Sequence, residues 1–104
     1  MYKISFLVPV THVDQVKLAV FNEGAGKIGN YQHCAWQTLG EGQFMPNEEA
    51  DPFTGQKNQL NKVPEYCVQV ICEDDVIRAV VAALKKAHPY EEPAYDVVKL
   101  ELFM

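Results

Sequence analysis

Along residues 2–10 the apolar side chains of Tyr2, Ile4, Phe6, Val8 and Val10 alternate with Lys3, Ser5, Leu7 and Pro9. This period of two predicts a strand with one strongly buried face. The period then changes: Val13, Val16, Ala19 and Val20 recur at helical spacing, and Gly24 supplies a stop. Thr11 with Asp14 three residues on reads as a capping box in which the shorter Asp replaces the usual Glu. Residues 31–39, rich in aromatic and small side chains, predict a second strand with weaker alternation. From Gly40 through Gly42, Pro46, Pro52 and Gly55 no regular pattern survives, and so long a connection is uncommon in a compact domain unless it has a function.

The second half repeats this order. Tyr66, Val68, Val70 and Cys72 alternate with Glu65, Cys67, Gln69 and Ile71 in a third strand. Glu73, Asp74 and Asp75 mark the start of a helix and Lys85, Lys86 and His88 its end, the signs its dipole favours. Its buried stripe is Val76, Ile77, Val80, Val81 and Leu84, and Pro89 cannot continue it. Val98, Leu100 and Leu102 alternate in a last strand. Strand, helix, strand taken twice predicts one α+β domain over residues 1–104: a ferredoxin-like βαββαβ sandwich with an antiparallel four-stranded sheet and both helices on one face. The other face, assigned Lys3, Leu7, Cys67, Ile71, Tyr95, Val97 and Phe103, is too apolar to stay in water and predicts packing against further copies of the chain.

Composition narrows the function. With 14 acidic against 9 basic residues and a net charge of -5, the chain is ill suited to nucleic acid, whose binders neutralise phosphates with lysine and arginine. Cys34, Cys67 and Cys72 sit among apolar neighbours without a Cys-x-x-Cys pair, as reduced core thiols do. No apolar run approaches the roughly 18 residues of a membrane span and the N-terminus enters a strand directly, so a cytoplasmic protein without a membrane anchor is expected.

Candidate chemistry is sparse. Gly24, Gly26 and Gly29 have the spacing of a dinucleotide-binding motif, but here a helix precedes and a strand follows, the reverse of what a pyrophosphate needs. They read instead as a helix cap and a close turn. Neither a Ser-His-Asp arrangement, a Walker loop nor a His-Glu-x-x-His helix is present, so no catalytic residue is assigned. In a ferredoxin-like topology the end of the first strand, the start of the last and the long loop share one edge of the sheet. His12 and His88 would meet there with Glu91 and Glu92, and Glu41, Glu48, Glu49 or Asp51 could approach, a set suited to a divalent transition metal. The competing reading has His88 complementing the helix C-terminus, Pro89 and Pro93 stiffening the turn and the glutamates capping amides or in solvent. Adjacent His33 and Cys34 point to opposite faces of a strand and cannot share an ion. Trp36, Phe44 and Phe53 read as anchors of the long loop or as core.

Four blocks carry a family likeness: Gly-Ala-Gly-Lys-Ile-Gly-Asn-Tyr-Gln-His-Cys-Ala-Trp at 24–36, Gly-Glu-Gly-Gln-Phe-Met-Pro at 40–46, Asp-Pro-Phe-Thr-Gly at 51–55 and the turn at 88–96. In that order they resemble the domain inserted in bacterial Nif-three-like proteins, also called GTP cyclohydrolase type-two homologues, and its free-standing versions. The resemblance implies a fold like CutA and the PII signalling proteins, a trimer, and a role as a cap on a ring built by a separate metal-binding domain. A chain of 104 residues has no room for that second domain, so its dinuclear site and any hydrolase activity do not carry over. The expectation is a small homo-oligomeric binding or regulatory module, a trimer, that answers to a small-molecule effector or a protein partner. A nucleotide between subunits follows only by analogy of fold. The alternative is a metal-binding protein using His12, His88, Glu91 and Glu92.

Overall fold

A computed structural model of the chain describes residues 1–103. Its elements run β1 (Tyr2–Pro9), α1 (Val13–Asn22), β2 (Trp36–Phe44), β3 (Asn61–Cys72), α2 (Ile77–Ala87) and β4 (Tyr95–Lys99). The strands form a four-stranded antiparallel sheet in the order β2-β3-β1-β4, so the expected α+β, ferredoxin-like arrangement is the one observed.

Register explains the core. Ile4, Phe6 and Val8 of β1 stand opposite Val70, Val68 and Tyr66 of β3 on the face that the helices cover. Val16 and Val20 of α1 and Val80 and Leu84 of α2 close over them, all shielded from solvent. Each large apolar side chain withdrawn from water in this way contributes about 1.5–3 kcal/mol. Cys72 belongs to this core, and burial raises its thiol above the ordinary value, as befits an inert packing residue.

The last strand departs from expectation by one residue. Tyr95 and Val97 pair with Phe6 and Ile4, which puts them on the helix side, while Val98 turns to the open face. A shift of one position reverses every side chain of a strand. The open face therefore carries Lys3, Leu7, Cys67 and Ile71 with Trp36 and Val98, whereas Tyr95 and Val97 pack half-buried against the core and Phe103 lies beyond β4, almost fully exposed.

The second strand also moves. Residues 31–35 do not join the sheet, because backbone bonds tie them into the connection behind α1: Ile28 and Tyr31 exchange two, and the Cys34 amide donates to the Gly26 carbonyl at 2.8 Å. β2 starts at Trp36 and continues through Gly40 and Gly42, whose places in the ladder are filled by Glu65 and Val63. The expected long loop thus contracts to residues 45–60, at the tip of an extended β2–β3 hairpin. At α1 the capping box does not form: His12 is the N-cap without a side-chain bond to the helix, and the Thr11 hydroxyl is bonded to His12 Nδ1 at 2.8 Å. The acidic run before α2 lies in a turn, where Asp74 pairs with the N-terminal amino group.

Gly26 shows what the glycine-rich segment is for. Its φ is +80°, its amide donates to the Ile71 carbonyl at 2.8 Å, and a Cβ there would stand 2.8 Å from the Phe21 ring and 3.0 Å from the Cys34 carbonyl. At Gly29, with φ +57°, a Cβ would meet nothing within 4 Å. Gly29→Ala should therefore cost only the left-handed backbone, about 1 kcal/mol, and Gly26→Ala about 2 kcal/mol or more through the added clash. Urea unfolding midpoints check this, and equal losses at the two sites would contradict it.

Candidate functional site

Two segments far apart in sequence meet at one end of the sheet: the tip of the β2–β3 hairpin and the turn between α2 and β4. The turn is set by His88. Its amide closes α2 on the Leu84 carbonyl at 2.9 Å, and its backbone is then extended, as Pro89 requires of the residue before it. The imidazole is buried, with Nε2 2.6 Å from the Leu7 carbonyl and Nδ1 accepting the Tyr90 amide at 3.2 Å. A carbonyl can only accept and an amide only donate, so the ring is the neutral Nε2–H tautomer. Burial, partly offset by the bond to Leu7 and the charge of Glu65, pushes its pKa below the ordinary value.

Tyr90 then reaches the hairpin, and its hydroxyl donates to Glu65 Oε2 at 2.7 Å. Burial first, then this bond and the charge of Glu65, raise the phenol well above its ordinary value. Glu65 lies on β3 opposite Gly40, and its side chain lies across Gly42, where a Cβ would come within 1.8 Å of Glu65 Oε1. Glycine at 42 therefore makes room for a carboxylate that is only 8% exposed. Around this pair the rings of Phe44 and Phe53 stand 6.4 and 6.2 Å from that of Tyr90, and His12 meets Phe53 edge-on at 5.3 Å. The Asp51 amide donates to Glu91 at 3.0 Å, which fastens loop to turn. Together they wall a cavity of about 460 Å³, lined by Phe44, Pro52, Phe53 and Leu7 with Glu65, Glu91 and Glu92 as its charged groups. That size is typical of small-molecule sites.

The four residues expected to hold a metal fall in this region with different partners. His12 is bonded to Thr11, both nitrogens of His88 are engaged with backbone, Glu91 holds the Asp51 amide, and Glu92 is exposed on the cavity wall. Among the described residues no three His, Cys, Asp or Glu side chains form a metal-holding group. The loop carboxylates serve the hairpin: Glu48 takes Asn58 and Glu41 lies 4.0 Å from Lys62. Of the three aromatic residues singled out, Phe44 and Phe53 flank Tyr90, whereas Trp36 is exposed and donates to Thr38 at 3.0 Å. Glu65 and Tyr90 carried no role in the sequence reading. Their signal was an acidic residue inside an alternating strand, answered across the ladder by a strand with two glycines.

No family model matches the sequence. A "GTP cyclohydrolase 1 type 2 homolog" of Halalkalibacterium halodurans is 45% identical over 100 residues, 96% of this chain and 27% of that protein. The crystal structure of a Bacillus cereus protein related to NIF3 superposes with a TM-score of 0.82 at 40% identity, over 97% of this chain and 26% of the other. The chain is homologous to one domain of the Nif-three-like proteins. It spans about a quarter of the length of these relatives. The apo form of the PII-like protein CutA from Nostoc sp. PCC 7120 shares the fold, with a TM-score of 0.68 at 15% identity over 97% of this chain and 82% of CutA. No helix of the described residues is long and apolar enough to cross a membrane.

The tautomer of His88 gives this domain a defined pH response. Because its folded pKa lies below the ordinary 6.5, the unfolded chain binds more protons as pH falls through that value, and stability declines in acid. His88→Gln, whose amide can still donate to Leu7, should show a shallower loss of urea stability than the parent between pH 7 and about 5.5. Identical slopes would contradict the buried neutral imidazole.

Proposed function

We propose that this chain is a small binding or regulatory module, cytoplasmic and homo-oligomeric with three copies favoured, whose recognition site is the cavity between the hairpin tip and the turn. The observation that carries the reading is the convergence of residues 45–54 and 90–94 around a buried carboxylate, with apolar walls and open access. A connection this long would be expected to shorten if it served only to join β2 to β3. Its inner side chains instead build a concavity. Oligomerisation is supported by the open sheet face, where Leu7, Trp36 and Val98 are 38%, 68% and 47% exposed and gain by being covered. The likeness to CutA and to one domain of Nif-three-like proteins fits a binding or regulatory module.

Metal binding is the second reading, favoured by His12 and His88 sharing one aromatic cluster: His12 packs on Phe53, His88 on Tyr90, and those two rings stand 6.2 Å apart. It asks His88 to exchange one backbone bond for a metal bond, joined by His12, Glu91 and Glu92.

Native mass spectrometry separates the two. The first reading predicts a trimer without metal. A trimer with stoichiometric zinc that is lost in His88→Ala establishes the second, and a bare monomer at micromolar concentration overturns the oligomeric module.

A further inference from the structure

The cavity selects its occupant by charge. Its lining contains three carboxylates, Glu65, Glu91 and Glu92, and no lysine, arginine or histidine. Glu65 is the telling one. Its Oε2 accepts from Tyr90, while its Oε1, lying over Gly42, has neither a hydrogen bond nor an ion pair among the described residues. The nearest imidazole, His88, is held neutral by its two backbone bonds. Glu65 is largely buried and has no countercharge, while its free oxygen stays open to solvent, so an incoming cation can reach it and complete it. An anion such as a nucleotide phosphate would face three like charges instead. A bare metal ion would leave the rings of Phe44 and Phe53 without a use.

We propose that the cavity binds a small organic cation, an amine or guanidine on an apolar body, with its N–H groups on Glu65 Oε1 and its body against Phe44 and Phe53. This rests on the binding-module reading and adds the chemical class of the ligand. The aromatic rings serve the apolar part and add their own attraction for the ammonium group. Glu91 and Glu92 at the rim draw the cation in.

The test is a titration of the 104-residue chain, followed by amide NMR shifts, with phenethylamine and its neutral and anionic counterparts 2-phenylethanol and 3-phenylpropionate. Phenethylamine should shift the amides of Gly42, Phe53 and Tyr90 to saturation, and the other two should bind at least about tenfold more weakly. Glu65→Gln should weaken the amine about tenfold or more and leave the alcohol unchanged. Phe53→Ala, which keeps the carboxylate, should weaken it severalfold and covers the case in which Glu65→Gln does not fold. Binding of the alcohol or the acid at the same amides as tightly as the amine overturns the charge selection and leaves the binding module standing. No shift with the amine up to about 10 mM overturns the inference. So does zinc alone shifting these amides while the amine does not. The module itself falls separately, on a monomer in native mass spectrometry.

Discussion

One hydrogen bond, from the Tyr90 hydroxyl to Glu65 Oε2, ties the β2–β3 hairpin to the turn between α2 and β4, beside the Asp51–Glu91 bond at the hairpin tip. On one side is a hairpin that runs beyond the body of the sheet, and on the other is a turn tied to it by few backbone bonds. A bond between a neutral donor and an ionised acceptor is worth roughly twice a neutral one. Its removal would leave a buried charge with no partner, which costs more than the bond itself contributes. Much depends on it locally. Gly42 is needed because the Glu65 side chain must lie across β2 to reach Tyr90, and the Tyr90 amide in turn fixes the tautomer of His88. His88 reaches Leu7 on β1, so the chain of contacts runs from the hairpin to the central strand. The cavity is the space left between these fixed points.

The parts of the fold that rest on periodicity were legible. β1, β3 and both helices repeat their apolar residues at the spacing of their elements, and Ile4, Phe6, Val8, Val68, Val70, Val80 and Leu84 are the core that spacing implies. Failures occur where backbone bonding decides. The Thr11 hydroxyl bonds the His12 ring, and His12 instead of Thr11 is the N-cap. Residues 31–35 look strand-like in composition but are captured by Gly26 and Ile28. In the last strand Tyr95, Val97 and Val98 are all apolar, so alternation could not say which of them faces inward; pairing with Phe6 and Ile4 decides it.

The site was legible as a place and not as chemistry. The glycine- and proline-broken loop and the turn at 88–96 are recognisable from composition, and topology brings them to one edge. What the sequence does not display is that strand β3 carries a carboxylate on its open face that Gly42 of β2 accommodates. Glu65 looks like an ordinary solvated residue of a half-buried strand until its opposite positions are known, and these depend on a register set across residues 45–60. The histidines drew attention because their chemistry is conspicuous, yet His88 spends both its nitrogens on the backbone as folded.

A double-mutant cycle on Tyr90→Phe and Glu65→Gln, read by urea unfolding at pH 7, probes the joint directly. If the two side chains form one buried charge-assisted bond, the single losses will not add, and the coupling energy will be about 1 kcal/mol or more. Additive losses within about 0.3 kcal/mol would mean that hairpin and turn are held independently, and the cavity between them would no longer be a built site.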